Sequence, residues 1–587
     1  MPEPYPKTAV SRPGLATFPA IDPEIARSSF DGPPYPNVYD FMWLDANGIW
    51  RIEGAEKFSY SDGESHERYL REVLQKASDL GSDSYELEGY ICDWVTEYHL
   101  SRKRSQLLRG FTFAREAKVL EVGCGCGAIT RFLGETFDDV VAIEGSLARA
   151  TLARMRTRDQ PNVSVLNAPF QEIRFKARFD IIFCIGVFEY SKLFVGGKDP
   201  HDSVLRCFRD MLAPDGVVVM AIENQFGLKY FASSAEDHNN IMFDGLEGYP
   251  RHDTHRTFGY GELKEQLVRH FNDACFYFPY PDYKLTACVI SEDAFDRMNL
   301  GEMVGNFAPR DYSKARTPVF DQRLVLVELA RNRTLHLFAN SFLVVAGNLG
   351  SAKMAFGQLG ILFSDRRRKE YQTVTRIEAH ADGSLWMRKL CSASGSGASD
   401  RVKIEGYQEP WLNSDSIQMR VLKRVKRRKI PLGDLLAPCE IWMRKIQSIA
   451  VMKAGESVVD GRYVDAIWAN SFVKDGECVF IDKEWLWKGE IRVNVLVVRS
   501  AYYFLNEVRG MRDLNEQLAK GGTQAIIRKI GRVLGVEIGP NDWRDFLELE
   551  SKFVGTVTAA KRRRSWRFVT KIKRAIARIR SAKTDGS

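Results

Sequence analysis

The 587-residue sequence has no apolar run approaching the roughly 18–20 residues that cross a bilayer, so no membrane-spanning helix is expected. Its first residues, MPEPYPKTAVSRPG, lack the apolar core of a secretory signal, which points to the cytoplasm. Ten cysteines are scattered without the paired spacing of a zinc motif. Cys124 and Cys126 fall in a glycine loop, Cys184 and Cys288 in apolar runs, and reduced, mostly buried thiols are expected. There is no internal repeat. The body also lacks an excess of either charge. Of a net charge of +8, ten basic residues crowd into Lys561–Arg580 without an acid, leaving −2 for the rest. That argues against a nucleic-acid-binding body and directs attention to the tail.

What is present suffices for several cores. An apolar content of 44% and this length predict two or three domains. Residues 1–60, rich in Pro, Gly and aromatics, read as an irregular arm, and 61–115 show helical spacing. From 117 strands and helices alternate: KVLEVG, ITRFLGE, DVVAIEG, SLARATLARMRT, NVSVLNA, FDIIFCIGV, SVLRCFRDML, GVVVMAIEN. That order predicts an α/β fold, a doubly wound parallel sheet over 116–350 closed by the apolar strand HLFANSFLVVA. Beyond it, TVTRIEAHADGSLWMRKL reads as a hairpin turning at Asp382-Gly383, CSASGSGASD as a flexible loop, and VLKRVKRRKI as a basic helix face.

The segment VLEVGCGCGAITRFLGE places Gly123, Gly125 and Gly127 on alternate positions behind Glu121. A dinucleotide loop is spaced Gly-x-Gly-x-x-Gly and seats a pyrophosphate on a helix N-terminus. This one is spaced Gly-x-Gly-x-Gly, and Glu144 ends the next strand, where a carboxylate can accept both hydroxyls of a ribose. A Rossmann-like domain for NAD, or for no ligand, is the competing reading.

With VVAIEGS, FDIIFCIGVFEY and MLAPDGVVVMAIEN in the same order, the segment resembles the class I S-adenosylmethionine-dependent methyltransferases. The resemblance implies that Glu121 helps hold the methionine end and Glu144 the ribose. Pro169 stands where many members place an aspartate, so the backbone around Ala168 and Phe170 is expected against the adenine.

The long insertion after the fifth strand gathers Glu236, Asp237, His238, His252, Asp253 and His255. Insertions of this kind serve as lids or substrate loops. His238 and His255 are the candidate bases for an acceptor proton. A metal site on His252-x-x-His255 and a plain capping loop both stay open. ENQFGLKYF, RTFGYGEL and FYFPYPDYKLT, with EYHLSRKRSQLLRG upstream, resemble methyltransferases encoded with glycosyltransferases in bacterial surface-polysaccharide (O-antigen) synthesis. That implies a glycan acceptor, a sugar hydroxyl or terminal phosphate carried on a lipid, with glycosyltransferases as partners and no specific nucleic acid.

DGRYVDAIWANSFVKDGECVFIDKEW sets Asp465 and Asn470 in Asp-x-x-x-x-Asn spacing, with Asp482 after a hairpin at Asp475-Gly476. The order resembles the catalytic core of kinase-like folds. It implies an α+β kinase-like domain over 360–545 using Mg-ATP, with Asp465 as base, Asn470 and Asp482 on the metal, and Lys389 on phosphate. No glycine-rich loop precedes Lys389, and an inactive interaction module is the alternative. The two halves together resemble bifunctional kinase–methyltransferases that terminate O-antigen chains. Over 546–587, Trp566, Val569, Ile572, Ile576 and Ile579 form one stripe of a basic amphipathic C-terminal helix. Such a helix suits the anionic inner face of a membrane, giving a peripheral location.

Overall fold

The computed structural model describes residues 42–558 apart from 53–60, 62, 174, 176–177, 196, 313–316, 365 and 392–400. The Ser/Gly loop at 392–400 and the basic stripe at 561–580 lie outside the described residues.

The predicted alternation is present: β1 Lys118–Val122, α1 Ala128–Thr136, β2 Asp139–Glu144, α2 Leu147–Arg156, β3 Val163–Asn167, β4 Phe179–Ile185, α3 Pro200–Met211 and β5 Leu212–Glu223. Two later strands, β6 Asp273–Tyr280 and β7 Ser341–Gly347, complete the order β3-β2-β1-β4-β5-β7-β6. β1 to β5 run parallel, while β7 lies antiparallel between β5 and β6.

Successive strand residues face opposite sides of a sheet. Both sides are covered here, which explains the near-continuous apolar runs. Leu120, Ile143, Ile182 and Val218 pack on one face, and Val119, Ala142, Ile181 and Val217 on the other. α3 starts where Asp199 accepts the Asp202 N–H at 3.1 Å and Pro200 takes the first turn. Such a cap contributes about 1 kcal/mol.

Upstream helices Glu64–Lys76, Tyr85–Gly89 and Trp94–Leu100 fall within 61–115, where the spacing is helical. Leu70, Val73 and Leu74 pack on Leu152 and Met155 of α2. Part of the arm is regular rather than irregular. Met42–Leu44 and Trp50–Ile52 form a hairpin whose second strand extends the sheet beside β3. The pairing was not visible in sequence, because its strands are three residues each.

On the other side the sheet does not stop near residue 350. Cys288–Ser291 pairs with β6, Gly360–Phe363 with Cys288–Ser291, and Thr373–Ala379, Leu385–Cys391 and Tyr407–Pro410 follow. All belong to one fourteen-stranded sheet among the described residues. The hairpin at Asp382-Gly383 is therefore its outer portion. A second core lies mostly between Val402 and Val557, built round Trp442, Trp468 and the helix Val493–Val508, and Val327 and Tyr371 from upstream join it. The division read at 545 falls inside the helix Pro540–Val557, whose Phe546, Leu547 and Phe553 are buried in that core. The basic segment 421–430 is not a helix either. The helix Ile417–Leu422 ends there, and turns carry the arginines and lysines.

Candidate functional site

One cavity opens above the carboxyl ends of β1, β2 and β4. Its near end is the glycine loop. Gly127 has φ +82, and a Cβ there would lie 2.7 Å from Ala153 Cα, so α1 can meet α2 only with glycine at this point. Gly125, at φ +55, has no atom within 4 Å of where a Cβ would stand. That bare backbone faces the cavity, as does Gly123.

Glu144 is held ready at the end of β2. Its Oε2 accepts the Gly125 N–H at 2.8 Å, and its Oε1 the Ser146 N–H at 2.9 Å. Ala168 and Phe170 line the cavity on the same side, and the Ala168 N–H is anchored on the Glu144 carbonyl at 3.2 Å. Glu121 is buried, and its Oε2 has no hydrogen-bond partner. Burial pushes its carboxyl up to about 7. An orphaned carboxylate oxygen beside an open glycine loop fits a ligand that brings an ammonium group. Arg104 supplies the opposite charge: it lines the cavity, donates to the Lys284 carbonyl at 3.0 Å and to Tyr98 Oη at 3.1 Å, and keeps Nε unpartnered.

The far end of the cavity is made by the insertion, the chain just past β4, and Tyr283 and Lys284 after β6. His238 lines it, with the ring Nδ1 2.6 Å from Glu236 Oε1. Burial alone would lower the His238 pKa, but Glu236, Glu223 and Glu189 outweigh burial and hold it well above the usual histidine range. His255 does not line the cavity. It stands behind His238, ring centroids 4.7 Å apart, and reaches Glu236 Oε2 at 3.3 Å. The His252–His255 pair is divided between Asp244 and Glu236, so it does not converge on one ion.

Sequence reasoning missed Glu189. It lines the cavity, its side chain is 1% exposed, and its Oε2 lacks a partner. Burial raises its carboxyl above the usual range. The signal was present in GVFEY, an acid set into an otherwise apolar run just past a parallel strand. Also missed were Lys229 and Lys284, whose ammonium groups both reach Asp237 at 2.7 Å, and Glu223, 2.5 Å from Lys284.

Residues 120–218 match the family model described as a methyltransferase domain. These residues belong to a class I S-adenosylmethionine-dependent methyltransferase domain. No curated protein matches the chain. Among solved structures it is similar to the N-methyltransferase NodS from Bradyrhizobium japonicum bound to S-adenosyl-L-homocysteine: 18% identity over 28% of this chain and 75% of that one, TM-score 0.20. A TehB-like methyltransferase from Corynebacterium glutamicum is 12% identical over 48% and 96%, TM-score 0.25. Phosphoethanolamine N-methyltransferase 1 of Haemonchus contortus is 11% identical over 48% and 48%, TM-score 0.26. In the methyltransferase domain Glu121 and Arg104 would hold the amino-acid end of the cofactor and Glu144 its ribose. The cofactor supplies an electrophilic methyl group on a sulfonium.

The second predicted cluster lies outside this cavity. Asn470 donates to Asp465 Oδ2 at 3.0 Å, so the Asp-x-x-x-x-Asn pair does come together. Asp465 is also bound by Arg499 at 2.7 Å. Lys389 forms an ion pair with Asp482 and lies 3.1 Å from Glu484, which Arg367 also holds. Burial alone would raise the Asp482 carboxyl, and Lys389 outweighs it and holds it below the usual range. Tyr407 donates to Asp482 at 3.2 Å. Asp465, Asn470, Asp482 and Lys389 thus each have a protein partner.

Proposed function

We propose that the methyltransferase domain methylates a hydroxyl oxygen, and that the acceptor is a sugar of a lipid-linked surface glycan. The observation that carries the oxygen assignment is Glu189, a buried carboxylate with an unpartnered oxygen at the far end of the cofactor cavity. In this reading the acceptor hydroxyl gives its proton to Glu189. Its lone pair then forms the O–C bond as the C–S bond breaks, and the electron pair stays on the sulfur of the departing thioether. The enzyme's contribution is alignment and proton removal.

A hydroxyl needs a base for its proton and a terminal phosphate does not, which is why Glu189 points to the hydroxyl. The glycan rests on the resemblance of the insertion to polysaccharide-cluster enzymes. A kinase-like second region, active on Mg-ATP or serving as an interaction module for glycan-synthesis partners, belongs to the same reading. So does a basic tail on the inner membrane face. Incubation of the full chain with S-adenosylmethionine labelled in the methyl group and lipid-linked oligosaccharides tests it. Label stable to base and recovered on a sugar oxygen is expected. Label recovered on phosphate or nitrogen would overturn the assignment.

A further inference from the structure

At one corner of the cavity, Glu189 and His238 of its lining and Glu223 buried behind them turn three potential ligand atoms toward one another with nothing shared between them. His238 Nε2 lies 3.7 Å from Glu189 Oε1 and 3.6 Å from Glu223 Oε2, beyond hydrogen-bond range. The ligand atoms of the three residues fall within 4.8 Å of one another. Their side chains are 4%, 1% and 1% exposed, and His238 Nε2 and Glu223 Oε2 have no hydrogen-bond partner. Two donors sharing a small divalent ion at about 2.1 Å stand between about 3.0 Å and about 4.2 Å apart. The two measured separations lie inside that window.

The orientation of His238 is fixed from behind. Glu236 accepts the backbone N–H groups of His238 and Asn239 at 2.7 and 2.9 Å, and its Oε1 meets Nδ1 at 2.6 Å. That arrangement occupies Nδ1 and leaves Nε2 as the ring nitrogen that faces Glu189 and Glu223. Carboxylates orient metal-binding histidines in this way. The neighbouring group Glu236–His238–His255 is different, because its 2.6 Å contact is a closed hydrogen bond, shorter than two ligands of one ion allow. Charge agrees with geometry. Four carboxylates, Glu189, Glu223, Glu236 and Asp237, face two ammonium groups, Lys229 and Lys284, an excess that a divalent ion displacing the proton of His238 would offset.

We propose that Glu189, Glu223 and His238 bind a divalent cation of the magnesium or manganese class that holds the methyl acceptor's oxygen. The proposal rests on the reading of this end of the cavity as the acceptor site. Two carboxylates and an imidazole leave about three positions of an octahedral ion for the acceptor and water. Glu189 Oε2 stays free to take the acceptor's proton.

The test is Mn2+ titration of the full-length protein without nucleotide, followed by calorimetry and electron paramagnetic resonance, beside S-adenosylhomocysteine titration in chelator. Mn2+ binding is expected to weaken at least about tenfold in Glu223→Gln and His238→Ala and to persist in Asp482→Ala. S-adenosylhomocysteine binding in both ligand variants reports that they are folded. Mn2+ affinity equal in wild type and both variants overturns the site, as does absence of Mn2+ binding in a protein that binds S-adenosylhomocysteine. Failure of the methyltransferase reading looks different: S-adenosylhomocysteine does not bind at all.

Discussion

Glu121, buried beside the buried Arg104, and Asp482, half-buried beside Lys389, are two carboxylates each near a cation, and their environments have opposite consequences. At Glu121 the guanidinium of Arg104 is engaged elsewhere, burial dominates, and the carboxyl rises to about 7 with one oxygen orphaned. At Asp482 the Lys389 ammonium sits directly on the carboxylate, and the pair is closed further by Tyr407 and Glu484. The first arrangement holds unused hydrogen-bonding capacity in a cavity. The second spends that capacity internally, so any ligand there must first displace a salt bridge. Buried ion pairs are costly to break by removing one partner.

Variants can break this contrast. The largest effect is expected for Glu144→Ala, which removes the carboxylate poised for the ribose. A charged hydrogen bond contributes about 1.5–3 kcal/mol, so S-adenosylhomocysteine affinity should fall roughly ten- to hundredfold with the fold intact. Unchanged affinity by calorimetry would remove Glu144 from the site. Next is Mg-ATP titration of the full chain with Asp482→Ala as control. Binding abolished by the substitution would show that the Lys389–Asp482 pair opens for a nucleotide. No binding in the wild type would leave this cluster as a structural clasp.

A smaller effect follows from Glu121. Its folded pKa is raised, so it is protonated below about pH 7 and cannot balance an ammonium there. S-adenosylhomocysteine affinity should rise up to about tenfold from pH 6 to pH 8, with proton release on binding, and Glu121→Gln should flatten the profile. A flat wild-type profile would contradict an ammonium contact. The smallest effect concerns Glu302, also raised by burial to about 7 where it caps Ser416 across the two cores. Here the folded state binds the extra proton between about 4.5 and about 7. Stability from this group is therefore full at low pH and falls as pH rises through that window. Melting temperatures at pH 5 and pH 8 should lie closer together in Glu302→Gln than in the wild type.

How much of this was legible in sequence depended on distance along the chain. Strand–helix alternation and the Gly123–Gly127 loop are local patterns, and they appeared where read. Asp465 and Asn470 are five residues apart and meet within one short turn. Arg499, which occupies Asp465, comes from a helix 34 residues away, and no local spacing announces it. Glu189, Glu223 and Lys284 converge only because β4, β5 and the chain after β6 end side by side. The hairpin at Asp382-Gly383 was visible, but its attachment to the methyltransferase sheet was not, because an edge strand's partner is set by tertiary packing.

That attachment bears on how the protein can be cut. A fragment ending at 350 would leave Cys288–Ser291 as a bare edge, with the carbonyls and amides once bound to Gly360–Phe363 offered to any passing chain. A fragment starting there would bring a four-stranded ribbon without the layer it leans on. Laboratory dissection into two independently soluble halves should therefore fail at 350, and shuffling either half onto another protein would have to carry the shared ribbon with it.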